Sequence, residues 1–246
     1  MLFVRYVALI LLCFAAFLPA FSQISPPGLD DTRAVAWAAV GFSQQTGPRW
    51  QTTVYLGGSR ESTHDDFSLF KRFAIGVMDF SELYRINDHW SVVGAVSFRK
   101  QDMYDLQETT FRQEIRYYAR LYYRHKFNKI SFAHSFRPEY RTYYNSSAAP
   151  YEYRFRLKSQ AAVPLNASGS NQFILGNEVL SVAQPHFSKY RYTEDRLTTY
   201  FRHTFKKPAL VFDAGFMYQF LAGEGLITHF AVDLIFLDPF HKHSLN

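Results

Sequence analysis

The chain has 246 residues, a formal net charge of +6, 18% aromatic content and one cysteine. That size suits one domain or two modest ones, and the composition excludes a collagen, a disordered tail and a disulfide scaffold. Hydrophobic residues make up 48% of the chain, yet its mean hydropathy is −0.20, so apolar and polar residues are finely mixed rather than sorted into blocks.

Residues 1–22 read as a secretory signal peptide. Arg5 supplies a positive start, residues 7–17 an apolar run, and Ala20-Phe21-Ser22 the small residues before cleavage at Gln23. The run is short and ends at Pro19, which weighs against a membrane anchor. Cleavage removes Cys13, so the exported chain has no thiol for a disulfide, a nucleophile or a thiolate metal site. Residues 23–32, with Pro26-Pro27-Gly28, read as an extended lead-in.

Beyond residue 23 no apolar stretch approaches the roughly 18 residues of a transmembrane helix. Period-two alternation recurs instead, and it marks eleven candidate strands near 33–43, 48–58, 72–86, 89–99, 109–126, 129–142, 150–163, 171–182, 190–205, 208–220 and 226–237. In the fourth, Trp90, Val92, Val96 and Phe98 alternate with Ser91, Ala95, Ser97 and Arg99. The fifth shows the sharpest contrast: Phe111, Ile115, Tyr117, Leu121 and Tyr123 on one face, Arg112, Glu114, Arg116, Arg120 and Arg124 on the other. Only a strand separates such sets. Ile130, Phe132, His134 and Phe136 then oppose Arg137, Glu139 and Arg141, and Tyr151, Tyr153, Phe155 and Leu157 oppose Glu152, Arg154, Arg156 and Lys158. Toward the end Phe212, Phe216 and Phe220 oppose Asp213 and Gln219, and Phe230, Val232 and Leu234 oppose His229 and Asp233.

Tight connections at Asn87-Asp88, Asn128-Lys129 and Lys206-Lys207-Pro208 interleave with longer polar ones around 59–71, 100–108, 142–150 and 183–189, as short periplasmic turns interleave with outer loops. The competing fold is a secreted sandwich or lipocalin-like barrel, with its apolar face inward. Strand length and flanking Tyr, Phe and Trp favour a transmembrane barrel, whose aromatic face meets lipid and whose charged face lines the lumen. An all-antiparallel barrel with both ends in the periplasm needs an even count, so the expectation is an all-β, up-and-down transmembrane β-barrel of 10 or 12 strands over 33–237 with an Arg-rich lumen, and a short periplasmic tail at 238–246. The location expected is the outer membrane of a Gram-negative bacterium, with lipid and the barrel-assembly machinery as partners. Phe236, or alternatively Phe240, is the terminal aromatic expected to matter for assembly.

Several motifs resemble a family of Bacteroidota outer-membrane proteins, the domain of unknown function 2490. His134-Ser135-Phe136-Arg137-Pro138-Glu139-Tyr140-Arg141 looks like its His-Arg-x-Arg-x-Glu-x-Arg strand, with Ser135 in place of the first Arg. Glu114-Ile115-Arg116, Tyr153-Arg154-Phe155-Arg156-Leu157, Asn177-Glu178-Val179 and Asp195-Arg196-Leu197 are similar to further elements in the same order, Asp195 replacing Asn. Trp37 and Trp50 sit where the family has early tryptophans. The resemblance implies an outer-membrane barrel and no particular activity.

The lumen network expected from the alternation is Arg112, Glu114, Arg116, Arg120, Arg124, Arg137, Glu139, Arg141, Glu152, Arg154, Arg156, Glu178, Glu194, Arg196 and Arg202, ten arginines against five glutamates. The first reading is a structural or interaction barrel with a lumen filled by paired charges. The second is a narrow anion-preferring pore or anion-binding barrel, which the 18 arginines against 9 lysines favour because planar forks suit oxyanions. The third is a lipid hydrolase with a Ser-His pair on the lipid-facing side. His134 and Ser135 point to opposite faces, His186 and Ser188 fall in a loop, His229 and Asp233 share a face without a nearby serine, and no Gly-x-Ser-x-Gly elbow occurs. His64-Asp65-Asp66 and His241-x-His243 read as solvated surface pairs rather than metal sites, and no cofactor motif is present. Nucleic acid is excluded because the cations alternate inward instead of forming an exposed patch. Small anions are thus the candidate ligand, and protein partners have no signature in the chain.

Overall fold

The computed structural model describes residues 34–63, 68, 72–104, 109–144, 151–183, 190–222 and 225–240. The expected signal peptide and lead-in at 1–32 lie outside these residues, as do the His64-Asp65-Asp66, His186/Ser188 and His241-x-His243 pairs and most of the tail.

Eleven strands form one closed barrel: β1 (Ala34–Gln45), β2 (Trp50–Glu61), β3 (Arg72–Arg85), β4 (Trp90–Tyr104), β5 (Thr109–Phe127), β6 (Ile130–Tyr144), β7 (Tyr151–Pro164), β8 (Asn171–Ala183), β9 (Tyr190–Phe205), β10 (Leu210–Leu221) and β11 (Gly225–Leu237). No helix occurs among the described residues. Each strand pairs antiparallel with the next, and β1 closes the barrel by a parallel ladder with β11, Ala34–Ser43 against Thr228–Leu237.

This corrects the expectation of 10 or 12 strands and of an all-antiparallel barrel. The parity argument assumed that both chain ends share one rim. Ala34 instead stands at one rim and Leu237 at the other, so an odd count makes first and last strands run the same way. A parallel ladder satisfies backbone groups with evenly spaced, slanted bonds, so closure leaves no open edge. Asp238 locks the seam at the Leu237 rim: its N–H donates to Ser43 O at 2.7 Å, and its Oδ1 accepts from Gln45 N at 2.7 Å. On the outside Phe42 and Phe236 stack across the seam at 5.4 Å.

The contrast between tight and long connections is weaker than the sequence suggests, because β4 and β6 run on to Tyr104 and Tyr144. Only two residues separate β5 from β6, with Asn128 at φ 53°, a left-handed position that asparagine tolerates. Asn87 Oδ1 accepts from His89 N at 2.9 Å and Trp90 N at 2.8 Å, shaping the β3–β4 turn.

The two faces differ sharply in chemistry. Large apolar side chains ring the outside, among them Leu56, Met78, Phe80, Leu121, Leu157, Leu175, Phe216 and Phe230, all exposed. Outward aromatics pair across strands, Trp50 with Tyr84 at 4.7 Å, Trp90 with Tyr123 at 4.9 Å and Tyr140 with Tyr153 at 5.4 Å. Buried positions are mostly polar, including Glu61, Gln101, Glu114, Arg141 and Glu178, while the buried apolar cluster amounts to Val35 and Ile227 with Leu221 packed against it. The hydrophobic term that drives a soluble fold therefore has little to act on inside, and the interior is held by charge and hydrogen bonds.

Candidate functional site

Alternation brings charged residues of neighbouring strands into register on the inner face. Arg116 of β5 stands opposite Arg141 of β6, which stands opposite Glu152 of β7; one step along, Glu139 stands opposite Arg154. Adjacent side chains on such a face lie about 5 Å apart, within reach of a guanidinium fork.

Glu114, 1% exposed, anchors the first cluster. Its Oε2 accepts from Arg116 Nη2 at 3.1 Å and from Arg141 Nη2 at 2.9 Å, its Oε1 accepts from both Nε atoms, and Arg141 also bonds Glu152. Glu139 anchors the second, with Arg137 Nε at 2.6 Å and Arg156 Nη1 at 3.2 Å. Arg156 then grips Glu178 bidentately at 2.9 and 2.6 Å, and Arg196 bonds Glu194 at 2.7 Å. Arg202 closes a bidentate pair on Asp213 at 2.7 and 2.6 Å. The result is a ladder of two ion-pair networks, one over β5–β7 and one over β6–β9, with a separate Arg202–Asp213 pair joining β9 to β10.

The side chains do not fill the interior. A cavity of about 760 Å³ remains, with residues of all eleven strands in its wall. Eleven arginines and Lys158 line it, facing six carboxylates, and Glu114 and Glu139 lie behind as partners of those arginines. Arginine supply therefore exceeds carboxylate supply.

Five lining arginines, Arg99, Arg112, Arg120, Arg154 and Arg191, have no carboxylate within ion-pair distance among the described residues. Arg99 and Arg112 each donate to the amide oxygen of Gln101, at 2.9 and 3.2 Å, and Arg120 donates to the Tyr122 hydroxyl at 2.6 Å. Arg154 makes no hydrogen bond, and its Nε is buried without a partner. Arg137 lies over the Tyr118 ring, 3.6 Å from its centroid, while the Tyr118 hydroxyl donates to Asp79 Oδ2 at 2.8 Å.

The opposite wall is built differently. Trp37 and Tyr55 line it with Ala231 and Gly215, and Asp233 Oδ1 accepts from Trp37 Nε1 and from the Tyr55 hydroxyl, each at 3.0 Å. His229 Nε2 lies 2.9 Å from Gln219 Oε1, a contact within the wall. Thus the cavity has one cationic side and one aromatic, small-residue side.

Of the fifteen residues singled out from the sequence, twelve line this cavity: Arg112, Arg116, Arg120, Arg137, Arg141, Glu152, Arg154, Arg156, Glu178, Glu194, Arg196 and Arg202. Glu114 and Glu139 sit behind them, and Arg124 stands apart, donating to Ser91 Oγ at 2.8 Å. Sequence reasoning left out Arg99, Lys158, Asp79, Asp213, Asp233, Trp37 and Tyr55. The phase of their strands carried the signal for Arg99, Asp213 and Asp233, which fall on the polar face of their alternations.

No curated protein and no solved structure matches the chain. A sequence profile matches residues 34–226, a span that runs from the first residue of β1 into β11 and takes in all of the ladder. The chain belongs to the family that this profile defines, described as protein of unknown function (DUF2490).

Proposed function

We propose that the protein is an outer-membrane β-barrel whose interior is an anion-binding chamber. The observation that carries the chamber is the set of lining arginines without carboxylate partners, Arg99, Arg112, Arg120, Arg154 and Arg191, around a cavity of about 760 Å³. A buried cation without a counter-charge costs free energy, so a barrel serving only as a scaffold gains nothing by keeping such a set. Planar guanidinium forks on one wall suit phosphate, sulfate or carboxylate groups, and an anion there neutralises the excess.

Membrane placement draws its support from the outer face. Strands of 12 to 19 residues are long enough to cross a bilayer at a tilt, exposed apolar side chains encircle the barrel, and Trp and Tyr pairs stud that surface. A soluble barrel would carry these residues inward.

The test of the chamber is sulfate or phosphate titrated against chloride at constant ionic strength, with the detergent-purified protein followed by thermal unfolding. A saturable rise in Tm that is lost on substituting Arg99, Arg112 and Arg154 together by Gln is the expected result. Equal Tm in all three anions refutes the chamber. Heat-modifiable migration and recovery with the outer-membrane fraction test the placement.

A further inference from the structure

The outward face carries a polar row within its apolar surface between β6 and β8. His134 of β6, Ser159 of β7 and Asn177 of β8 are successive register partners, and His134 Nδ1 lies 3.0 Å from Ser159 Oγ. Asn177 Nδ2 donates to Asp195 Oδ1 at 2.7 Å. Phe136 and Leu157 flank the row on one side, and Phe132 and Ala161 on the other. The row is therefore set into the apolar band rather than at its edge.

Two features separate this row from an incidental polar contact. The imidazole plane is held by stacking: His134 lies 5.3 Å from His125 at 11° and 6.3 Å from Tyr123 at 21°, and His125 stacks on Phe132 at 5.1 Å. There is also open space beside it, an outward groove of about 400 Å³ that His134, Ser159 and Asn177 line together with Trp90, Leu121 and Val179. A serine bonded to a fixed imidazole at the wall of an apolar groove is the arrangement that acyl transfer needs.

We propose that Ser159, His134 and Asn177 form an ester-hydrolysis site for the acyl chain of a membrane lipid. The lipid class of the substrate rests on the membrane placement argued above; the hydrolytic chemistry does not, and neither part depends on the anion chamber. Ser159 Oγ attacks the ester carbonyl carbon while its proton passes to His134 Nδ1. Asn177 has two amide N–H groups, one on Asp195 and the other left to donate to the oxyanion. Collapse breaks the bond to the glycerol oxygen, which leaves with the proton held by His134. Water then attacks the acyl-serine, giving a proton to His134 that returns to Ser159 Oγ, so ester and water become fatty acid and alcohol with no cofactor.

The experiment uses the full chain in mixed micelles of detergent and diacyl phosphatidylethanolamine, with fatty-acid release as readout and a water-soluble p-nitrophenyl acyl ester in parallel. Peptide mapping after fluorophosphonate labelling identifies the reactive serine without relying on a variant. Expected are release from lipid, labelling at Ser159, a loss of about 100-fold or more in Ser159→Ala and in His134→Phe, and no change in Ser168→Ala, which lies in the β7–β8 turn. Absence of both release and labelling, labelling at another serine, or full activity in Ser159→Ala overturns the site. Hydrolysis of the soluble ester with Ser159 labelled but no release from lipid overturns the lipid assignment.

Discussion

Trp37 Nε1 donates to Asp233 Oδ1 at 3.0 Å across the parallel seam, joining the first strand of the barrel to the last from inside. Tyr55 brings β2 into the same knot by donating to that oxygen at 3.0 Å. Room for the indole comes from Gly57, where a Cβ would stand 2.5 Å from Trp37 Cζ2. Asp233→Ala removes the shared acceptor, and leaving such donors unsatisfied costs about 1–3 kcal/mol. The expected outcome is a lower urea midpoint for the detergent-folded protein, with altered tryptophan emission; an unchanged midpoint would mean that the backbone ladder holds the seam alone.

Gly215 is required for a different reason. A Cβ there would stand 2.2 Å from Thr199 O and 2.4 Å from Tyr200 Cα, both backbone atoms of β9, so it cannot be absorbed by a side-chain rotation. Gly215→Ala must part β9 from β10, whereas a Cβ at Gly94 meets nothing within 4 Å. Folded yield, read as the heat-modifiable band, is expected to collapse in Gly215→Ala and to persist in Gly94→Ala. Equal yields would show that the β9–β10 approach is looser than this geometry.

Within the ladder, acid and base substitutions are expected to differ in sign. Glu114 is the common acceptor of Arg116 and Arg141, so Glu114→Gln leaves buried Arg116 without a counter-charge and Arg141 with Glu152 alone, and is expected to cost about 3–5 kcal/mol. Arg154 has no partner to lose, and its nearest charges include Arg141 and Arg116 as well as Glu194 and Glu139. Arg154→Gln is expected to leave stability unchanged or raise it while weakening stabilisation by sulfate. Urea unfolding of both variants, with and without sulfate, checks this; a large loss in Arg154→Gln would make that residue part of the scaffold instead.

Strand positions were legible because alternation is a local signal, and β5 through β7 show it most clearly. The end of β4 was less so, since Arg99-Lys100-Gln101-Asp102 is polar on both faces and hides the period. The seam had no local signal at all: parity and parallel closure depend on where the first strand begins relative to the last. Trp37 and Tyr55 look apolar in sequence and become polar partners only once Asp233 is brought across the seam. His134 and Ser159 are 25 residues apart on different strands, so their contact follows from the β6–β7 register, which no spacing within either strand encodes.

The final strand makes the last expectation specific. β11 pairs with β10 over Gly225–Phe236 and with β1 over Thr228–Leu237, so its loss removes two ladders and opens the barrel along β1 and β10. Exposed strand edges are not tolerated in a bilayer and invite aggregation in water. A chain ended before residue 230 is therefore expected in the insoluble fraction without a heat-modifiable band. A chain lacking only residues 241–246 keeps Phe236, its stack on Phe42 and the Asp238 bonds to Ser43 and Gln45, and is expected to assemble. Membrane fractionation and heat-modifiability of the two truncations decide the point, and assembly of the shorter chain would mean that the parallel seam is dispensable for closure.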